Sequence, residues 1–90
     1  MEHILKIKKN YYDAIISGVK KWELRLDDRG FKTGDTVRFI VIENDIPVLL
    51  SPKVFEIIYI VYLVELEVRG DWCVFSIKPK KKLKKKRFHL

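Results

Sequence analysis

Residues 10–26 read NYYDAIISGVKKWELRL, and this stretch joins a predicted helix to a predicted strand. Asn10 is a preferred residue for capping a helix N-terminus, and Gly18 stands where a left-handed residue commonly closes a helix. Residues 22–26 alternate between apolar and charged side chains, which is typical of a strand. We therefore predict a short helix, a connector that contains Lys20, and a second strand from Trp22 to Leu26.

Two charged side chains of this strand are predicted to project from the same face. Glu23 and Arg25 are two residues apart, and strand side chains alternate between faces. Lys20, in the connector, is free to lean over that face. The residues of the opposite face are apolar and are expected to meet the core: Trp22, Leu24 and Leu26. The pattern thus predicts a site of two cations and one carboxylate.

The pattern Gly18-x-Lys20-x-x-Glu23-x-Arg25, followed by the segments 31–39 and 70–77, resembles the ASCH domain, a branch of the PUA-like superfamily. Within that family the chain is most similar to a short phage and prokaryotic group catalogued as a domain of unknown function. The resemblance implies an α+β fold: a small curved β-barrel of about five mostly antiparallel strands with one or two helices. It also implies a cleft lined by the signature residues.

Members of that family are linked to RNA binding and RNA modification, and one branch hydrolyses the acetyl amide of a modified cytidine. In that branch the signature lysine activates a threonine, whereas this chain has Glu23 at the threonine position. The resemblance therefore implies binding of RNA or a modified nucleoside through Lys20, Glu23 and Arg25. One alternative is an amidohydrolase acting on an acylated nucleoside such as N4-acetylcytidine, with Lys20 and Glu23 as its catalytic groups. A second alternative is a protein-interaction module in which the cleft is vestigial.

The residue types allow several roles for the same cluster. Arg25 offers a planar fork to a phosphate or a base edge, and Lys20 adds a point charge. Glu23 either orients Arg25, accepts hydrogen bonds from a nucleobase, or acts as a general base toward water. Arg29 and Lys32 follow on the next loop, and they either extend the positive rim or are ordinary solvated residues. A surface ion pair without function, contributing about 0–1 kcal/mol, is a further alternative.

The net charge of +7 is concentrated in the last eleven residues. Seven of the 19 Lys and Arg follow Pro79, namely Lys80, Lys81, Lys82, Lys84, Lys85, Lys86 and Arg87. The other 12 balance the 12 Asp and Glu, so residues 1–79 are predicted to be a neutral domain and residues 80–90 a flexible polybasic tail. Such a tail adds salt-sensitive affinity for RNA, only increases solubility, or binds an anionic membrane or protein partner.

Composition argues against several other classes of protein. The longest apolar run, 57–64, is far shorter than the roughly 20 residues that cross a bilayer, and no signal peptide is recognised. We therefore expect a soluble cytoplasmic protein without a membrane partner. The single cysteine, Cys73, has no disulfide partner and is predicted to be an inert core thiol. His3 and His89 lie at opposite ends, so neither a metal site nor a cofactor is predicted, and the oligomeric state stays open.

The remaining strands are predicted from β-branched and aromatic runs between turn signals. They cover residues 3–8, 36–42 and 72–78, with 46–51 as a strand or a loop. Residues 54–68 are apolar on both faces through the middle, which indicates a strand covered on two sides or bending at a barrel corner. Most aromatic side chains are expected in the core, and Tyr12 and Phe31 are the weak candidates for stacking on a base.

Overall fold

The strands follow the alternating pattern of the sequence. In the computed structural model, which describes residues 1–80, six strands curl into a half-barrel with one α-helix beside it. The elements in chain order are β1 (Glu2–Lys8), α1 (Lys9–Ile16), β2 (Trp22–Leu26), β3 (Thr36–Glu43), β4 (Ile46–Leu50), β5 (Phe55–Tyr62), a 3₁₀ turn (Leu63–Leu66) and β6 (Trp72–Pro79). The predicted α+β class is confirmed, with six strands rather than about five.

The sheet has the strand order β1-β3-β5-β6-β2, and β4 pairs with the second half of β3. β1 and β3 are parallel, while the other neighbouring strands are antiparallel. The curl of the sheet brings its two ends, β1 and β2, toward each other. This β1–β2 seam is where the candidate site lies.

The core fills the concave side of the sheet. Apolar residues at alternate positions of β1, β3, β5 and β6 point inward, and Phe31 joins them from the loop after β2. Helix α1 contributes Tyr12 and Ile15, and the Tyr12 hydroxyl lies 2.9 Å from the Ser51 hydroxyl. Cys73 is fully buried, as predicted, and burial raises the pKa of its thiol to about 11. A thiol with such a pKa stays protonated and is a poor nucleophile at neutral pH.

At the ends of α1, the predicted N-cap is wrong and the predicted closing glycine is confirmed. Asn10 is not the N-cap, because β1 runs directly into α1 and Lys8 takes the capping position without a side-chain cap. Gly18 has a φ of +80° and its N–H donates to the Ile15 carbonyl, so it closes the helix as expected.

No helix among residues 1–80 has the length and hydropathy needed to cross a membrane.

The long apolar stretch 54–68 bends rather than being covered on two sides. β5 has an irregularity between Ile57 and Tyr59, and the chain turns at the 3₁₀ segment after Tyr62. Tyr59 is 67% exposed, so the outer face of β5 is open to solvent.

The expected orientation of β2 is wrong. Trp22, Leu24 and Leu26 were predicted to meet the core, but each is about half exposed, whereas Glu23 is 4% exposed. The reason is the pairing with β6, which places Glu23 opposite Phe75 and Arg25 opposite Cys73. Cross-strand partners share a face, so the buried residues of β6 bring the charged residues of β2 to the concave side.

A second polar cluster is buried near the start of β1. The ring of His3 donates from Nε2 to Asp35 Oδ2 at 2.8 Å, and the Lys32 N–H donates to the same oxygen at 3.0 Å. The Met1 ammonium lies 3.3 Å from the other carboxylate oxygen. The hydrogen bond from His3 is the main cause that holds the pKa of Asp35 below its ordinary value.

Candidate functional site

A cleft of about 550 Å³ opens along the β1–β2 seam. It is bounded by β1 and the first turn of α1 on one side and by β2 and the start of β6 on the other. The residues that line it include cations, one carboxylate and several aromatic side chains: Lys6, Ile7, Lys8, Tyr11, Lys20, Trp22, Glu23, Leu24, Arg25, Leu26 and Trp72.

Glu23 lies at the base of this cleft with a cation on each carboxylate oxygen. The Lys20 ammonium donates to Oε1, and the Arg25 Nε donates to Oε2 at 2.8 Å. Glu23 is nearly fully buried, and the side chains of Lys20 and Arg25 are 13% and 22% exposed. A buried charge needs such partners, because removal from water without them is costly.

The chain brings Lys20 to Glu23 by wrapping the connector around the end of α1. The N–H groups of Val19 and Lys20 both donate to the Ala14 carbonyl at 3.0 Å, after the left-handed turn at Gly18. The Lys20 ammonium also donates to the Trp22 carbonyl and lies 4.5 Å from the centre of the Trp22 ring. A cation over an indole face is attracted to it, so Lys20 is held by a carboxylate and an aromatic ring together.

Arginine side chains, rather than strand pairing, join the two edges of the seam. Arg25 donates from Nη2 to the Lys6 carbonyl at 2.8 Å, and Arg29 donates from Nη1 to the Ile4 carbonyl at 2.8 Å. Both carbonyls belong to β1, and they would otherwise be open at the edge of the sheet. Arg25 therefore connects the buried carboxylate to the opposite wall of the cleft.

The cleft has a surplus of positive charge. Lys6, Lys8, Lys20 and Arg25 line it, and Glu23 is the one carboxylate among its lining residues. Low-dielectric walls around like charges concentrate the field and attract anions. This arrangement favours an anionic ligand.

Comparison with known proteins places the chain in a family. Residues 2–77 match the family described as Domain of unknown function (DUF3850). The chain belongs to this family. A solved structure, described as the crystal structure of hypothetical protein PH0355, is similar to it with a TM-score of 0.58 and 19% sequence identity. That match covers 89% of this chain and 100% of the other, and it supports the fold alone. A comparison with curated proteins found no match.

In this DUF3850 domain, the three signature residues predicted from sequence meet in one recess, as the contacts of Glu23 with Lys20 and Arg25 demonstrate. Arg29 does not line the cleft but lies further along the same seam, bonded to β1. Lys32 lies beside Asp35 and is also outside the lining residues. Their predicted role in extending a positive rim stays a prediction.

The predicted polybasic tail lies almost wholly outside the described residues. Lys80 is described, and its N–H donates to the Val54 carbonyl at 2.8 Å. Residues 81–90 contain the six further predicted cations: Lys81, Lys82, Lys84, Lys85, Lys86 and Arg87.

Within residues 1–80, no group of His, Cys, Asp or Glu is arranged to hold a metal ion.

The sequence interpretation missed several residues that line the cleft. Lys6 and Lys8 alternate on the exposed face of β1, and that alternation is the signal that could have placed them together. Tyr11, Trp22 and Trp72 are each 42–49% exposed, whereas the two aromatic candidates chosen from sequence, Tyr12 and Phe31, are buried in the core. Proximity to the signature in sequence was a poor guide, because Trp72 reaches the cleft only through the pairing of β6 with β2.

Proposed function

We propose that the cleft binds RNA or a modified nucleoside, with Lys20 and Arg25 contacting phosphate or base-edge acceptors. The observation that carries this proposal is the recess itself: four cations and one carboxylate beside half-exposed aromatic rings. Cations that follow the backbone, combined with aromatic faces for the bases, are the usual features of proteins that bind unpaired nucleic acid. Residues 80–87 would add affinity that does not depend on sequence. A cytoplasmic location is part of the same proposal.

The contacts of Arg25 leave it able to take a ligand. A guanidinium has five N–H groups, and Arg25 uses one at Nε for Glu23 and one at Nη2 for the Lys6 carbonyl. Three remain for a phosphate or a base edge. Glu23 and the Lys6 carbonyl hold the guanidinium plane in place, so little side-chain entropy is lost on binding.

The resemblance to the ASCH and PUA-like proteins supports the same proposal. We propose that this DUF3850 domain is a member of that wider group, because its signature residues and its curled sheet with one helix both agree with it. The group's link to RNA then favours RNA over other polyanions.

Binding of a short RNA to the full chain tests this function. Arg25→Ala removes the fork and should weaken binding and reduce selectivity, whereas Arg25→Lys should restore only the charge-dependent part. Arg69→Ala is a matched control, because Arg69 is exposed and outside the cleft. Circular dichroism should show that all variants are folded. Unchanged binding by folded Arg25→Ala would overturn the proposal.

Amide hydrolysis is the second candidate, favoured by the direct contact of Lys20 with Glu23. Each oxygen of Glu23 accepts one hydrogen bond from a cation and keeps a second lone pair, with which it could take a proton from a water admitted to the cleft. N4-acetylcytidine incubated with the protein should release acetate if this function is correct, and Lys20→Met should abolish the release. Absence of turnover at high protein concentration would exclude it.

A further inference from the structure

Two tryptophan side chains mark the ends of the β2 wall of the cleft. Trp22 begins β2, and Trp72 is paired with Leu26 at the end of the same strand. Cross-strand partners share a face, and positions 22 and 26 of one strand do as well. Both rings therefore lie on one side of the sheet, and the residues are 49% and 42% exposed.

The separation of the two rings suits a run of nucleotides rather than one. Four residues of β2 at about 3.3 Å per residue put roughly 13 Å between positions 22 and 26. Bases stacked as in a duplex strand repeat every ~3.4 Å, so this length is about four stacking steps, and an extended strand covers it with about four nucleotides or fewer.

Each ring has a close neighbour within the protein. The Lys20 ammonium covers the Trp22 ring at 4.5 Å from its centre. Trp72 packs on Gly70, where an added Cβ would lie 3.2 Å from Trp72 Cδ1 and where φ is +90°. Exposed aromatic rings with fixed orientations bind bases at low entropic cost.

The cations lie alongside this wall. Lys6 and Lys8 on β1 face it across the seam, and Lys20 and Arg25 lie between the two edges. One nucleotide carries a single phosphate group, whereas four cations spread along the cleft match the backbone of several.

We propose that the cleft takes a short single strand of RNA, with one base stacked on Trp22, another on Trp72, and the phosphates between them along the four cations. The proposal rests on the proposed function and narrows it to an oligonucleotide. Duplex RNA is a poor ligand for such a site, because its bases are already stacked and paired.

Quenching of intrinsic fluorescence tests this arrangement, because Trp22 and Trp72 are the two tryptophans of the chain. Uridine oligomers of one, two, four and six nucleotides are titrated into the full chain and into Trp22→Phe and Trp72→Phe, each of which leaves one reporter. The tetramer should quench both reporters. Affinity should rise steeply up to about four nucleotides and little beyond, apart from a weak contribution of the polybasic tail.

A matched pair of alanine variants tests stacking on Trp72. Trp72→Ala should weaken tetramer binding by about ten-fold or more, since each stacked base contributes substantially to binding. Its effect on the monomer should be small. Tyr59→Ala is the control, because Tyr59 is an exposed aromatic residue outside the cleft, and it should bind like the parent.

The outcomes distinguish the two proposals. Binding that depends on Arg25 but neither on oligomer length nor on Trp72 would overturn the oligonucleotide site and leave the proposed function intact. Equal binding of polyglutamate and the uridine tetramer would indicate an acidic-peptide site and overturn the oligonucleotide site. No binding of any oligomer at low salt would overturn the oligonucleotide site together with RNA binding as the proposed function.

Discussion

Glu23 has a buried carboxylate whose two oxygens each accept a hydrogen bond from a cation. This makes it a structural residue of the cleft as well as a candidate for ligand contact. Without it, Lys20 and Arg25 would repel each other in a partly buried position. The two roles are separable, because stability and binding can be measured independently.

Replacement of Glu23 by Gln should lower the free energy of unfolding by about 1–3 kcal/mol, the contribution typical of hydrogen bonds to charged groups. Urea denaturation of the purified variant measures this. Glu56→Gln is the control, because Glu56 makes an exposed ion pair with Lys78 at 3.6 Å, and its effect should stay below about 1 kcal/mol. Equal effects of the two substitutions would contradict the structural role of Glu23.

Asp35 carries the second buried charge, and it predicts how stability varies with pH. The hydrogen bond from His3 is the main reason why the pKa of Asp35 is below its ordinary value of 3.8. Burial acts in the opposite direction. A carboxyl group with a depressed pKa in the folded state stabilises the protein above the pKa of the unfolded chain. That contribution is lost as pH falls through the folded-state pKa.

Asp35→Asn should therefore be less stable than the parent above about pH 5, and the difference should shrink as the pH falls below 4. Chemical denaturation at a series of pH values measures it. Asp28→Asn serves as the control, because the Asp28 side chain is 62% exposed. A destabilisation by Asp35→Asn that is constant from pH 7 to pH 3 would rule out this linkage.

At the scale of elements, the β1–β2 seam differs from the rest of the sheet because its two strands are not paired through their backbones. Two arginine side chains from β2 and the loop after it bond to carbonyls of β1 in place of a ladder. A seam held by a few side chains opens more readily than a paired edge, which suits a site that must admit a ligand.

Arg29→Ala should open this seam without touching the cleft. The Ile4 carbonyl then loses its donor, and we expect a loss of about 0.5–1.5 kcal/mol in stability. Amide hydrogen exchange should become faster in β1 and β2 and stay unchanged in the paired strands β5 and β6. Arg69→Ala should have no such effect, and uniform acceleration across all strands would contradict a local role for Arg29.

At the scale of the whole molecule, positive charge lies in two places. One group lines the cleft, and the other follows Pro79 in the sequence, while the remaining eight Lys and Arg and eleven Asp and Glu have a net charge of −3. For a single-stranded ligand, the logarithm of affinity falls with the logarithm of salt concentration by about 0.7 per phosphate contacted. The two groups therefore predict separate contributions to salt dependence.

The four cleft cations predict a slope of about −3 for a chain that ends at Pro79, and the seven tail cations would bring the full chain to about −8. RNA titrations between low and moderate salt measure both slopes. Arg25→Ala in the shortened chain should reduce the slope by about 0.7. Identical slopes for the full and shortened chains would exclude a role of the tail in RNA binding.

Much of the local structure was predictable from the sequence. Strand β2 has the predicted bounds, Gly18 closes the helix, and Glu23 and Arg25 share a face because alternation along a strand is a local property of the backbone. The convergence of Lys20 with these two residues was also predictable, because all three lie within six residues. The family membership, in contrast, rests on a match over residues 2–77.

Alternation along β2 does not decide which of its faces is buried. That was determined by the register with β6, which pairs Glu23 with Phe75 and turns Trp22, Leu24 and Leu26 outward. The opposite wall of the cleft depends on the curl of the sheet, which brings Lys6 and Lys8 to β2 although no strand pairing joins them. Such contacts arise because the whole sheet closes around its core. A local sequence pattern carries no information about which distant residues that closure brings together.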